Sequence, residues 1–114
     1  MKDRFEVLFL PDAVKFMNEI EAKTREKMYF NIRKAQQIND NEVFKKLNDN
    51  IWEFRCVYNN FSYRLFAFWD KTDNKNTLII ATHGMIKKSQ KTPTNEISKA
   101  EQIRKKYLQQ AHQK

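Results

Sequence analysis

The sequence has little of what several common kinds of functional site require. Its 114 residues include one glycine, one cysteine, two prolines and two histidines. A single glycine excludes the glycine-rich loops that hold phosphates in nucleotide-binding proteins, and a single cysteine excludes an internal disulfide. One cysteine and two histidines cannot form a Cys/His cluster at the spacing of structural zinc sites. We therefore expect no metal or other cofactor, and a reducing, cytoplasmic setting.

Long hydrophobic runs are also missing. The apolar run within the N-terminal MKDRFEVLFLPD is too short for a signal peptide. No stretch approaches the roughly 18 consecutive apolar residues that a membrane span needs. The scarcity of glycine and proline argues against a low-complexity protein, while 40% hydrophobic residues suffice for one modest core. We predict a single domain over residues 1–114 that is not exported and has no membrane partner.

Positive charge is what the sequence has in excess. Lysine and arginine number 22 against 14 acidic residues, which gives a formal net charge of +8 and a pI near 9.6. This balance favours a polyanionic partner, either a nucleic acid or an acidic protein segment. Charge alone does not choose between the two.

Hydrophobic periodicity predicts helices at both ends of the chain. RFEVLFL predicts a strand that ends at Pro11. A helix of about residues 12 to 22 and a second one from Thr24 to about residue 38 would form a helical hairpin. A last helix, with Thr92 as N-cap and Pro93 as first helical residue, would run to about residue 110. This helix either covers the sheet or docks on a neighbour.

Three strands are predicted for the middle of the chain. IWEFRCVYNNFSYRLFAFW predicts a β-hairpin. TLIIATHGMI predicts a strand in the sheet interior, because both of its faces are apolar up to Thr82. The predicted order is β-α-α-β-β-β-α, an α+β fold with a small, mostly antiparallel sheet packed against an N-terminal helical hairpin and a C-terminal helix.

The register of the β-hairpin follows from its turn. Asparagine tolerates positive φ, so Asn59 and Asn60 suit the two central positions of a tight turn. Counting outward from this turn, one face is wholly apolar or aromatic and is therefore the core face. Its pairs are Tyr58 with Phe61, Cys56 with Tyr63, Phe54 with Leu65 and Trp52 with Ala67. On the other face, Arg55 lies directly opposite Arg64.

Two arginines in direct opposition need an explanation, because like charges across a strand pair are destabilising. A bound phosphate would resolve the repulsion, since guanidinium groups hold phosphate oxygens in a bidentate manner. Alternatively, Glu53, diagonal to Arg64, neutralises part of the charge. The residues alone leave both explanations open.

Other charged or titratable residues could converge with these arginines. His83, inside a predicted strand, is either a general acid or base or a packed core residue. Five lysines lie at the strand ends, where each is either a solvated edge residue or part of one basic surface. They are Lys45 and Lys46 before the β-hairpin, and Lys87, Lys88 and Lys91 after the last strand.

Four segments in the second half of the chain form an ordered pattern. They are FKKLNDNIWEFR, YRLFAFW, HGMIKKSQKTP and EISKAEQIRKKY, and together they cover about residues 43 to 107. In this order they resemble the RelE/ParE superfamily of toxins from bacterial toxin-antitoxin modules, and most closely its HigB-like, phage-derived Gp49 branch. The segment beginning at His83 is the most specific part of the resemblance.

The resemblance implies a RelE-like fold and a basic toxin that cleaves mRNA in the ribosomal A site. In the ribonuclease members the ribose 2′-hydroxyl attacks the adjacent phosphate, and no metal ion takes part. The implied catalytic residues include Arg55, which matches the arginine that contacts the scissile phosphate, together with Arg64 and Lys88. We add His83 as proton donor or acceptor. The residues left for RNA binding are Lys45, Lys46, Lys87 and Lys91.

The resemblance leaves the second proton-transfer group and the activity open. Several ribonuclease members use a tyrosine or histidine near the end of the chain, for which the candidates here are Tyr107 and His112. The alternatives to a nuclease are a ParE-like inhibitor of DNA gyrase and a nucleic-acid-binding module without catalysis. The implied partners are mRNA on the ribosome and a cognate antitoxin with a helix-turn-helix DNA-binding domain.

Overall fold

The structure, a computed structural model, describes residues 3–72, 77–88 and 91–112, without the side chain of His112. Strands and helices follow one another in the order β-α-α-β-β-β-β-α. They are β1 Glu6–Phe9, α1 Pro11–Glu19, α2 Ala22–Gln37, β2 Phe44–Lys46, β3 Trp52–Tyr58, β4 Phe61–Asp70, β5 Leu78–Lys87 and α3 Thr94–His112. The predicted α+β fold is confirmed, with the three-residue β2 as one strand more than predicted.

The sheet has the strand order β1-β5-β4-β3-β2. The pair β1 and β5 is parallel, and the other pairs are antiparallel. β5 therefore lies between β1 and β4, which confirms the sheet-interior position expected from its two apolar faces. The gap between β4 and β5 includes residues outside the described ranges.

Three helix boundaries differ from the prediction. α1 ends at Glu19 and not near residue 22. Glu21, not Thr24, is the N-cap of α2, and Thr24 is fully buried inside that helix. α3 begins at Thr94, and the carbonyl of Pro93 accepts a hydrogen bond from the amide of Ile97 at 3.4 Å. Thr92 therefore lies before the cap position, and its hydroxyl contacts the sheet instead.

Helices cover both faces of the sheet. The larger core lies between the sheet and α1 and α2, and buries Phe54 and Leu65 among its members. On the opposite face α3 contributes Ala100 to a second buried cluster with Phe66 and Phe68. We call these the α1/α2 face and the α3 face. The last helix thus covers the sheet, and the β-hairpin is buried on two faces where one core face was predicted.

A β-bulge interrupts the pairing of β4 with β5. Leu65 pairs with Gly84 and Ala67 pairs with Ala81, so Thr82 and His83 together oppose one residue, Phe66. A bulge of this kind reverses the inside-outside alternation beyond it. After His83, each side chain of β5 therefore lies on the face of the sheet opposite to the one it would have in a regular strand.

Gly84 follows the bulge at a point of close packing. A Cβ atom there would overlap the ring of Phe16 from α1. The glycine of the His-Gly segment is thus explained by the approach of α1 to the sheet.

Candidate functional site

The β-hairpin has the predicted turn and register. Asn59 and Asn60 have φ angles of 51° and 69°, as a two-residue turn of this hand requires. All four predicted core-face pairs occur, and Arg55 pairs with Arg64. Both arginines therefore belong to the α3 face, on neighbouring strands.

Glu53 lies between the two arginines. One of its carboxylate oxygens, Oε2, is 3.4 Å from Nη1 of Arg64 and 3.5 Å from Nε of Arg55. The other oxygen, Oε1, accepts a hydrogen bond from the Thr92 hydroxyl at 2.9 Å. A buried carboxylate is tolerated only with such compensation. The structure confirms that Glu53 neutralises part of the arginine charge, as the second explanation from the sequence requires.

Lys87 joins this group from β5. It pairs with Ser62 of β4, and the bulge places it on the α3 face with Arg64. Its Nζ atom is shielded from solvent and has no hydrogen-bond partner among the described residues. Loss of hydration and then the charge of Arg64 lower the pKa of Lys87, while Glu53 acts in the opposite direction. We call Glu53, Arg55, Arg64, Lys87 and Thr92 the Glu53 cluster.

The members of the Glu53 cluster differ in their access to solvent. The side chains of Glu53 and Arg64 are each 2% exposed, whereas that of Arg55 is 23% exposed. Burial lowers the pKa of Arg64, and Glu53 opposes this shift. A guanidinium begins from so high a pKa that Arg64 stays cationic near neutral pH. Arg55 is therefore the arginine that a ligand can reach, and Arg64 forms the buried ion pair with Glu53.

The two lysines of β2 lie on opposite faces. Lys45 pairs with Glu53 and so lies on the α3 face near the cluster. Lys46 pairs with Trp52 and lies on the other face, at a separate cleft. Lys91, an exposed residue, lies near enough to lower the pKa of Lys87. The structure thus brings Lys45, Lys87 and Lys91 toward the cluster and separates Lys46 from it.

Lys88 is held at the turn of the β-hairpin. Its ammonium lies 5.5 Å from the centre of the Phe61 ring, in a cation-π contact. Phe61 alternates with Ser62 along β4 and so belongs to the face opposite Arg64. The exposed side chain of Lys88 is therefore directed away from the Glu53 cluster in this conformation.

His83 is packed in the bulge. Its ring stacks on Phe66 at 4.8 Å between centroids, and Phe66 is the register partner of Glu53. Its Nδ1 is 3.0 Å from the Thr82 hydroxyl, and its Nε2 is 3.4 Å from a carboxylate oxygen of Glu96 in α3. Burial, followed by the charge of Lys99, lowers the pKa of His83, although Glu96 opposes the shift. The phenyl ring of Phe66 thus separates His83 from the arginines.

Tyr107, the tyrosine near the end of the chain, has its hydrogen-bond partner far from the Glu53 cluster. The Tyr107 hydroxyl donates a 2.7 Å hydrogen bond to Asp70, and burial together with this carboxylate raises the pKa of Tyr107 to about 12. Asp70 ends β4 roughly 20 Å from Arg64, at about 3.3 Å per residue. Tyr107 therefore does not serve the cluster. His112 ends α3, and its side chain lies outside the described structure.

Two members of the site were undervalued by sequence reasoning. Glu53 was considered only as a neutralising charge, and Thr92 only as a helix cap. The available signal was the alternation that puts Glu53 on the face of both arginines, since a carboxylate between two guanidiniums satisfies both. The contact with Thr92 spans 39 positions of sequence and left no local signal.

The described residues contain neither a candidate metal centre nor a helix that could span a membrane. No group of three or more His, Cys, Asp and Glu side chains there could hold a metal ion. None of the described helices is both long and apolar enough to cross a membrane.

The comparison with protein families is decisive for the kind of protein. The family described as phage-derived protein Gp49-like (DUF891) matches residues 15–105, most of the chain and every member of the Glu53 cluster. No curated protein matches. Membership in the matching family indicates a toxin-like function. The chain belongs to the Gp49-like family of phage-derived proteins.

Proposed function

We propose that this protein is a toxin of the HigB-like branch of the RelE/ParE superfamily and a ribosome-dependent endoribonuclease that cleaves mRNA. The observation that carries the proposal is the pairing, in the Glu53 cluster, of a solvent-accessible guanidinium with an amine of lowered pKa. Arg55 can contact a phosphate, and Lys87 can exchange a proton. Attack of a 2′-hydroxyl on the next phosphate needs both of these groups.

Arg55 and Lys87 of the cluster, with the nearby Lys91, have the active parts in the proposed reaction. The deprotonated fraction of Lys87, which its lowered pKa enlarges, accepts the proton of the 2′-hydroxyl, whose oxygen forms a bond to phosphorus. Arg55 donates hydrogen bonds to the non-bridging oxygens as their charge grows. The bond from phosphorus to the 5′-oxygen breaks, and this oxygen takes a proton from the ammonium of Lys91, which lies near Lys87. The products are a 2′,3′-cyclic phosphate and a 5′-hydroxyl end, and no metal ion or other cofactor is needed.

The buried members of the cluster act as positioning residues. Arg64 and Thr92 fix the two oxygens of Glu53, and Glu53 in turn orients Arg55. Lys45 and Lys91 extend the positive surface along which the RNA backbone binds, in keeping with the net charge of +8. In this proposal His83 stabilises the packing of α3 on the bulge and takes no part in proton transfer.

One observation favours a second candidate. Glu53 and Arg64 are buried so completely that loss of either one would leave the other charge uncompensated, whether or not the protein is a nuclease. A ParE-like inhibitor of DNA gyrase, which binds its target and cleaves nothing, would retain such a pair. A non-catalytic nucleic-acid-binding module would retain it as well.

Primer extension on mRNA from a cell-free translation reaction tests the nuclease proposal. The protein is added to the reaction and, in parallel, to naked RNA, and its Arg55→Ala and Lys87→Gln variants are treated alike. We expect cuts only in the presence of ribosomes, reduced about 100-fold or more in both variants. Lys23→Gln, which removes an exposed charge remote from the cluster, is the control and should cleave normally.

Intact mRNA in the presence of folded wild-type protein would refute the nuclease proposal. A supercoiling assay with DNA gyrase then tests the second candidate. Cleavage that persists undiminished in Arg55→Ala would instead refute the assignment of the Glu53 cluster as the active site.

For a partner, we propose a cognate antitoxin with a helix-turn-helix DNA-binding domain and an acidic segment that covers the basic surface. The excess of positive charge and the accessibility of Arg55 support this partner. Hydrogen exchange of the complex should show protection around Arg55 and Lys88. Protection confined to the exposed surface of α2 would contradict this location.

A further inference from the structure

A cleft in the described structure lies away from the Glu53 cluster. It has a volume of about 520 Å³, and its walls include Trp52, Trp69, Lys46, Lys71 and Arg104. Trp52 precedes Glu53 along β3, so the two side chains point to opposite faces of the sheet. We call this site the tryptophan cleft. The proposed nuclease reaction makes no use of it.

The two indole rings of the tryptophan cleft are held in fixed orientations. Trp52 stacks on Phe44 at 4.8 Å with an angle of 24° between the ring planes, and Trp69 meets Trp52 edge-on at 6.2 Å and 82°. Both tryptophans keep part of their surface in solvent. Because Phe44 occupies one face of Trp52, a planar ligand can stack only on the other face.

Positive charge surrounds these rings. Lys46 and Lys71 are exposed, and within the described part of the chain neither forms an ion pair. Arg104 is 3.3 Å from a carboxylate oxygen of Glu101, which fixes its guanidinium at the cleft wall. The one acidic residue of the lining is Asp49. Because Glu101 offsets the charge of Arg104, the surplus comes from two lysines against Asp49, and this net positive charge makes the tryptophan cleft attractive to an anion.

From this geometry we propose that the tryptophan cleft binds a nucleoside phosphate. The base stacks on the indole of Trp52, and Lys46, Lys71 and Arg104 contact the phosphate. Stacking on an aromatic side chain together with contacts from cations to the phosphate is how proteins hold unpaired nucleotides. The volume of the cleft suits one such ligand.

Two other ligand classes fit the cleft less well. A purely apolar ligand would leave the lysines without a counter-charge. Duplex DNA would offer no free base face to a concave site, since its bases are stacked within the helix. The nucleotide is therefore either free or one unit of single-stranded RNA. This proposal does not depend on whether the protein cleaves mRNA.

Tryptophan fluorescence reports on this cleft alone, because the chain has two tryptophans and both line it. The wild-type protein is titrated with AMP, with a short single-stranded RNA and with inorganic phosphate, with excitation where the bases do not absorb. We expect AMP and RNA to quench the emission and phosphate to leave it nearly unchanged. RNA binding about tenfold or more tighter than AMP identifies RNA as the source, and equal affinities identify a free nucleotide.

Matched double variants separate the cleft from general charge attraction. Lys46→Gln with Lys71→Gln removes two cations from the cleft, and Lys15→Gln with Lys23→Gln removes two exposed lysines elsewhere. The first pair should weaken quenching by AMP about tenfold or more, and the second should not change it. All four lysines are exposed, so both variants should melt like the wild type.

Two results would overturn the proposal. One is the absence of quenching by AMP and by RNA at millimolar concentration. The other is an equal loss of affinity in the two double variants, which would mean that binding follows net charge and not the cleft. Because fluorescence is measured without ribosomes, neither result bears on mRNA cleavage.

Discussion

Replacing Glu53 by glutamine removes the buried charge that Arg55 and Arg64 share while keeping the size of the side chain. The amide oxygen can still accept the Thr92 hydrogen bond, so the main loss is electrostatic. Removing one partner of a buried ion pair costs about 3 to 5 kcal/mol, because the other charge loses its compensation. We take the lower value, about 3 kcal/mol, since Arg55 is partly exposed and is stabilised by water.

This cost can be converted to a melting temperature. At about 2.1 cal/mol/K per residue, a chain of 114 residues has an unfolding entropy of about 0.24 kcal/mol/K. A loss of about 3 kcal/mol therefore lowers the Tm by about 12 °C. Thermal and urea denaturation followed by circular dichroism measure this difference. Glu19→Gln, at an exposed position of α1, is the control and should change the Tm by less than about 2 °C.

A double variant tests whether the loss arises from the arginine that Glu53 holds. Arg64→Met in the Glu53→Gln background removes the buried cation as well, so part of the lost stability should return. A Tm change in Glu53→Gln no larger than in Glu19→Gln would refute the ion-pair reasoning. Strict additivity of the two substitutions would refute it equally.

Three further predictions concern groups outside the Glu53 cluster. Gly84→Ala should destabilise the protein by about 1 to 3 kcal/mol in urea denaturation, because the new methyl group overlaps the ring of Phe16. Phe16→Ala should therefore cost less stability in the Gly84→Ala background than in the wild type. Tyr107→Phe should cost about 1 kcal/mol through loss of the bond to Asp70. The pKa of Tyr107 in the folded protein, about 12, exceeds the usual value near 10. The stability that Tyr107 contributes is therefore complete below about pH 10 and disappears as the pH rises through 12. Ultraviolet titration should show one tyrosine with this raised pKa in the wild type and none in the variant. Cys56 is buried, and its pKa is raised to about 11. A thiol reagent at pH 8 should therefore react with the native protein far more slowly than with the unfolded chain. Equal reaction rates would contradict the burial of Cys56.

The sequence predicted most of the secondary structure and the register of the β-hairpin. The register followed from two local properties, the tolerance of Asn59 and Asn60 for positive φ and the period-two alternation of apolar residues. Both act over a few neighbouring positions, so a single sequence contains them completely. The three-residue β2 was missed because its pairing with β3 depends on the folded position of the partner strand.

The candidate site could be predicted only in part. Arg55 and Arg64 were correctly paired across the strands, since alternation alone places them. The convergence of all five lysines with them was not found, because Lys46 and Lys88 lie on the other side of the sheet. A run of adjacent lysines says nothing about which of them shares a face with a given residue until the strand pairing is known.

By itself the sequence determined the α+β order, the basic charge and the opposition of Arg55 and Arg64, because these depend on composition and on contacts between residues close along the chain. The tertiary structure alone decided three features of the site. The bulge at Thr82 and His83 turned Lys87 toward Arg64, α3 packed on the face of the sheet that carries the ion pair, and the segment before α3 brought Thr92 to Glu53. Each of these features depends on contacts between residues far apart in the chain. Such contacts form only when whole helices and strands pack together, because packing must compensate the entropy lost when the intervening chain is closed into a loop.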